Sequence, residues 1–314
     1  MKRSLKIGLA IAGAIIGAGF ATGKELLIFF SGNSVFYVVL LALSIMLMGT
    51  ASLFHFYSVK KRKDSKLFKA IFLTFSGGCY AIMLACGGQT IHEMGSSINL
   101  GLNSGIFITY IITIVVISFG IEGVYKFNTF ATPIIILSLI FISFAGLSTP
   151  VFNNFSSPYM NSALYSGYNI LAVLPFISAI SKETDERDGS YGIITGFFLV
   201  LITSIAVKLL LNNYFSLISS ESLPLLKIVG ILSPYFSYIY SVVLYISIAT
   251  TAVNSLYALA DRKNLKTIFL ISLPCLLLSF FGFVTLLEKI YTYFGYVGIA
   301  IIFIITIRRI CHGK

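Results

Sequence analysis

Charged residues are scarce in this 314-residue chain, and those that interrupt its apolar runs are the natural seats of chemistry. Lys24 and Glu25 follow a glycine-rich stretch, G-A-I-I-G-A-G-F-A-T-G (13 to 23), and His92 and Glu93 end another apolar run. Set in lipid, an ionisable side chain costs about 2.5–3.5 kcal/mol on insertion scales, so each is a candidate for gating, ion coupling or proton movement. Adjacent helix positions point about 100° apart, so Lys24 and Glu25 do not face the same path, and Lys reaches an interface more readily than Glu. Glu25 is therefore the candidate outer gate or proton-linked carboxylate, with an interfacial charge or a local ion pair as the simpler reading. His55 and His92 read as interfacial.

Other polar groups sit within the runs. S-I-A-T-T-A-V-N-S (247 to 255) brings Thr250, Thr251 and Asn254 together as an oxygen-rich patch. Hard cations prefer oxygen ligands, but Ser and Thr also bond back to their own helix, and the pattern admits both. Cys79, Cys86, Cys275 and Cys311 form no C-x-x-C pair, so no metal site or disulfide framework is expected. No nucleophile with its base and no paired carboxylates share a run, so an enzyme is not expected. The glycine-rich stretch lacks the spacing of a phosphate loop, which argues against an ATP-driven pump.

The elements that must hold these residues are membrane helices. The chain is 57% apolar and 11% charged, with a mean hydropathy of +0.95, against about 25% charged residues in an ordinary soluble domain. Apolar stretches of the length that crosses a hydrocarbon core recur throughout, and runs such as I-I-I-L-S-L-I-F-I-S-F (134 to 144) lack the alternation of a barrel strand. The pattern predicts helices near 5–30, 34–57, 67–94, 104–120, 123–146, 161–182, 189–212, 231–260, 266–285 and 289–310. The first run resembles a signal peptide at its basic start but continues without a cleavage context, and is read as a retained helix.

With ten spans, all of the 22 Lys and Arg residues except Lys24, Lys208, Lys227 and Lys289 fall on one side. The positive-inside rule then makes this a multi-pass plasma-membrane protein with both termini cytoplasmic. The net charge of +11 is thus explained by helix ends such as Y-S-V-K-K-R-K-D-S-K (57 to 66), and no nucleic-acid partner is expected.

Two helices carry breaking signals. Gly13, Gly17, Gly19 and Gly23 favour unwinding of the first, with a small-residue packing face as the alternative. Gly167, Asn169 and Pro175 interrupt the sixth. Both open a block of five, about 5–146 and 161–310, and an odd number of spans turns the second block over. That is the arrangement of inverted repeats around a midplane site. The expectation is one all-α transmembrane domain, 1–314, with ten helices, the first and sixth interrupted.

The chain resembles the amino acid, polyamine and organocation superfamily with its LeuT-type five-plus-five fold. More narrowly, I-I-G-A-G-F-A-T-G-K-E-L-L-I-F-F (15 to 30) and M-L-A-C-G-G-Q-T-I-H-E-M-G (83 to 95) resemble the YkvI-like membrane proteins. The resemblance implies substrate contacts at Ala18, Gly19 and Phe20, completed by Tyr168 and Asn169, although those last two also fit an interhelical hydrogen-bonding pair. It implies a sodium site from the carbonyls of Gly13, Ile16 and Ser247 with the Thr250 and Thr251 hydroxyls. In proton-coupled relatives a lysine of the fifth helix takes the cation's place, here Lys126. The implied function is secondary active transport of a small organic solute, an amino acid or related compound, coupled to sodium or protons, with no further cofactor. A receptor on the same scaffold, similar to the spore-germination permeases, is the rival reading.

Overall fold

The structure is a computed structural model and describes residues 2–30, 35–60, 66–94, 101–146, 159–260 and 264–312. The described residues form no strand. In chain order the helices are α1 (Lys2–Ile15), α2 (Ala18–Thr22), α3 (Lys24–Phe30), α4 (Val35–Lys60), α5 (Lys66–Met94), α6 (Leu102–Ser118) and α7 (Gly120–Ala145). They continue as α8 (Tyr159–Glu183), α9 (Glu186–Asn213), α10 (Phe215–Ile218), α11 (Pro224–Leu232), α12 (Pro234–Ala260), α13 (Leu265–Ser279) and α14 (Phe283–His312). Lys69–Met94, Glu186–Asn213, Pro234–Ala260 and Phe283–Ile304 are long and apolar enough to cross a membrane; Val39–His55, Leu102–Ser118, Phe130–Ala145 and Leu265–Ser279 are shorter apolar helices. Large apolar side chains such as Phe130, Leu137, Phe141, Phe144, Leu270 and Phe303 are exposed. An outer surface of that kind belongs in lipid.

The helices sit where the apolar runs place them and the first is interrupted as expected; the sixth and ninth depart from expectation, and α10 and α11 occupy what reads as a connection. The first helix is broken at Ile16–Gly17 and again at Gly23, whose φ of +78° is left-handed and suits a residue without a Cβ. The expected interruption of the sixth helix does not occur: α8 runs unbroken from Tyr159 to Glu183. A proline deletes one hydrogen bond, which a helix packed among others tolerates, and α7 and α13 likewise carry Pro133 and Pro274 without ending. Gly167 serves packing instead. A Cβ there would fall on the carbonyl oxygen of Gly295, and one at Gly298 on the backbone of Gly167, so α8 and α14 cross backbone to backbone. Finally, the predicted helix 266–285 stops early, at Ser279. The Gly282 φ of +89° turns the chain, and the following helix begins at Phe283.

The packing is ordered. α1 lies on α9 and α8 on α4; α5 packs on α6 and α12 on α13; α7 packs on α12 and α14 on α5; α9 packs on α7 and α4 on α14. Exchanging α1–α3 with α8, α4 with α9, α5 with α12, α6 with α13 and α7 with α14 maps each of these pairs onto its companion, whereas the extensive α8–α14 packing has no counterpart of similar extent between α1–α3 and α7. α5 against α12 forms the centre and maps onto itself. Alignment is set by small residues: a Cβ on Gly8 would meet Thr195 and Gly196, and one on Gly192 would meet Ile7, so α1 and α9 run in the same direction.

Candidate functional site

The broken first helix leaves backbone groups without helical partners, and several of them are met by side chains. Gly17 is extended, and the N–H of Ala18 donates to Thr251 Oγ1 of α12 (3.3 Å). Thr22 Oγ1 donates to Gly19 O (2.7 Å) and accepts from the N–H of Lys24 (3.2 Å), bridging the second break. The hydroxyl of Tyr240 donates to Ala21 O (2.5 Å). Ala18, Gly19 and Phe20 are all buried within α2.

Glu25 lies one turn beyond, on α3, and is buried at 3% exposure. Tyr168 of α8 donates its hydroxyl to Glu25 Oε1, with Tyr165 and Asn169 beside the same carboxylate. The other carboxylate oxygen, Oε2, lies where a Cβ on Gly19 would fall. The break and the carboxylate are therefore in contact, and only a glycine at 19 leaves the space. Aromatic rings enclose the group. Tyr168 stacks on Tyr291 of α14 (centroids 4.4 Å, interplanar angle 20°), while Phe29 packs against Tyr165 and Tyr168 at 5.8 and 5.4 Å. Asn169 Nδ2 donates to Tyr165 O (3.0 Å), which fixes its orientation along α8.

The second set of predicted residues meets the break from α12. Thr250 and Thr251 both donate to the Ser247 carbonyl, at 2.8 and 3.0 Å. A Cβ on Gly17 would come within 3.2 Å of Thr251 Oγ1, so α12 touches the break at this hydroxyl. Ile16 is buried nearby in sequence, whereas Gly13 packs against Thr132 of α7. Among the described residues no group of three or more His, Cys, Asp or Glu is arranged to hold a metal ion. Lys126 belongs to the start of α7, and its side chain lies outside the described residues.

Lys24 departs from expectation. It is buried, and its Nζ donates to Glu221 O (2.9 Å) and Ser219 O (3.5 Å), fastening α3 to the connection between α10 and α11. The carbonyls of an unpredicted turn supply what a snorkelling lysine would seek in water. His55 and Glu186 form a pair (3.2 Å) between α4 and α9, and Gln89 donates to Glu93 (3.0 Å) at the end of α5. Glu93 also lines a cleft of about 480 Å³ between α5, α11 and α12, bordered by Leu226, Lys227, Ser237 and Tyr238. Neither Glu25 nor Tyr168 reaches that cleft.

Sequence reasoning missed the aromatic enclosure and the burial of Lys208. The first had a signal in Tyr165 and Tyr168, three apart and so on one helix face. The second had one in a lone lysine inside S-I-A-V-K-L-L-L (204 to 211).

No protein-family model matches the chain. Two proteins of Bacillus subtilis (strain 168) are similar to it over nearly its full length. The uncharacterized membrane protein YkvI is 22% identical over 335 residues, covering 95% of this chain and 93% of its own. The uncharacterized protein YyaD is 24% identical over 321 residues, covering 94% and 93%. This chain is a membrane protein. Distant homology to a protein named as one agrees with the apolar helices and their exposed faces.

Proposed function

We propose that this membrane protein is a secondary active transporter of a small organic solute, an amino acid or a related compound, working by alternating access. The observation that carries the proposal is the broken first helix with a buried carboxylate held against the break, Glu25 on Gly19 and Tyr168. Irregular backbone and an ionisable group at membrane depth are both costly, and they occur together where a helix lines a binding site. The ten-span, LeuT-type five-plus-five architecture is part of the same reading. It is supported by the exchange of helix pairings between the two halves of the chain and by the odd number of long helices in each half. With that architecture the basic residues put both termini in the cytoplasm.

In this reading Glu25 is the coupling or gating group. Its link to Tyr168 ties the first helix of one half to the first helix of the other. Coupling is to sodium at the contact of Thr251 with the break, or to protons at Glu25.

Flux of radiolabelled amino acids into proteoliposomes, under sodium or proton gradients, tests the proposal. Wild-type protein is expected to accumulate solute, and Glu25→Gln to lose accumulation while remaining monodisperse. Solute binding without flux would replace the transporter with a receptor, and a fully active Glu25→Gln would remove Glu25 from the mechanism.

A further inference from the structure

Two lysines lie inside this bundle, and their treatment differs. Lys24 has carbonyl partners, described above. Lys208, on α9, is 0% exposed, and its Nζ has no hydrogen-bond partner among the described residues. One helical turn earlier on the same face stands Ser204, 1% exposed, whose Oγ is also without a partner among the described residues. Two adjacent orphaned polar groups, one of them cationic, are an arrangement that folding does not tolerate for nothing, because an unpaired buried ammonium is among the costliest groups a protein can hold.

Among the described residues no carboxylate acts electrostatically on Lys208. Glu25 is engaged by Tyr168, and Glu221 pairs with Lys227 (3.3 Å). The connections 31–34 and 147–158 contain no Asp or Glu, so the undescribed residues following α3 and α7 bring none. The height of Lys208 is informative. A Cβ on Gly23 would approach Leu211, and one on Gly8 would approach Thr195 and Gly196, so the parallel register of α1–α3 on α9 is pinned at both ends. That register sets Ser204 level with Ile16 and Lys208 level with Phe20, the stretch over which the first helix is broken.

We propose that Ser204 and Lys208 form a binding site for a small monovalent anion, with the ammonium as its counter-charge and the serine hydroxyl as a second donor. The anion is a halide or the carboxylate group of a solute; both present compact negative charge to two donors one helical turn apart. This site is distinct from Glu25 and does not depend on transport. A chain that moves nothing across the membrane still binds the anion.

The test uses full-length protein purified in detergent, in a buffer whose only anion is the bulky sulfonate of HEPES. Thermal unfolding is followed as sodium chloride or sodium acetate is added, with sodium matched throughout. Wild-type Tm is expected to rise saturably with one or both anions, chloride alone marking an inorganic ion and acetate a carboxylate ligand. Lys208→Met is expected to raise Tm in the anion-poor buffer, since it replaces an unpaired charge by an apolar chain of similar length, and to abolish the response. Lys208→Arg keeps the response, and Ser204→Ala weakens half-saturation about tenfold, the loss of one hydrogen bond to an ion. If Lys208→Met does not fold, direct binding of radiolabelled chloride and acetate to wild type and Ser204→Ala decides. A wild type that responds to neither anion, or a Lys208→Met that responds as strongly as wild type, overturns the site.

Discussion

A methyl group at position 19 reports on whether the Glu25 carboxylate leans on the helix break. The Cβ of Gly19→Ala would occupy the place of Glu25 Oε2, so the carboxylate must swing away and its bond from Tyr168 must lengthen or break. A buried hydrogen bond to a charged group contributes about 1.5–3 kcal/mol. Against that loss, alanine is the better helix former by about 1 kcal/mol. The net effect in the wild-type background is therefore destabilising by about 0.5–2 kcal/mol. In the Tyr168→Phe background the bond is already gone, and Gly19→Ala should leave only the helix term and stabilise by up to about 1 kcal/mol. The same substitution thus changes sign between two backgrounds, which no generic loss of packing reproduces. Cys79, Cys86 and Cys275 are buried free thiols, so a thiol-reactive dye reads unfolding of the detergent-solubilised protein directly. At an unfolding entropy of about 2.1 cal/mol/K per residue, a chain of this size moves about 1.5 °C per kcal/mol, which puts the shifts within reach of that assay. Equal shifts in both backgrounds would show that Gly19 and the Tyr168 bond are independent, and the coupling of break to carboxylate would be abandoned.

Other consequences are open to the same preparations. Gly167→Ala should lower stability by about 1–3 kcal/mol because its Cβ meets the Gly295 carbonyl, whereas Gly77→Ala, whose Cβ would make only ordinary contact with Cys275 Sγ at 3.6 Å, should be neutral or stabilising; similar Tm values would deny the close crossing of α8 and α14. Thr251→Ala removes the acceptor of the Ala18 N–H and should raise the sodium concentration for half-maximal flux more than it changes solute affinity at saturating sodium, unless wild-type flux ignores sodium, which would exclude this contact as a sodium site. In a cysteine-free background, a cysteine at Ser220 should be labelled from outside the cell and one at Asp185 only from inside, and the reverse pattern would invert the topology. Lys24→Gln should destabilise the protein, since a shorter neutral amide cannot span to the Glu221 and Ser219 carbonyls; a Tm within a degree of wild type would contradict the buried latch.

What the sequence alone determined is what depends on length, composition and local conformational preference. Apolar runs long enough to span lipid define the helices, and the glycines at 17 and 23 mark the breaks, because neither signal needs a neighbour to be expressed. The positions of Glu25, Tyr168 and Thr251 were legible as polar groups in apolar surroundings. Their contacts were not. Only the packing of α3 on α8 puts Tyr168 on Glu25, and only the seating of α12 against the break puts Thr251 on Ala18. The tertiary structure also decided the signals that local rules leave ambiguous. Gly167 and Pro175 read as a break, but α14 lies against Gly167 and α8 remains whole, since a helix supported by neighbours survives one missing hydrogen bond. Lys24 and Lys208 read as an interfacial lysine and an outlier, and the fold buries both; whether a buried ammonium finds carbonyls, as Lys24 does, or none, as with Lys208 among the described residues, depends on which distant backbone folds over it.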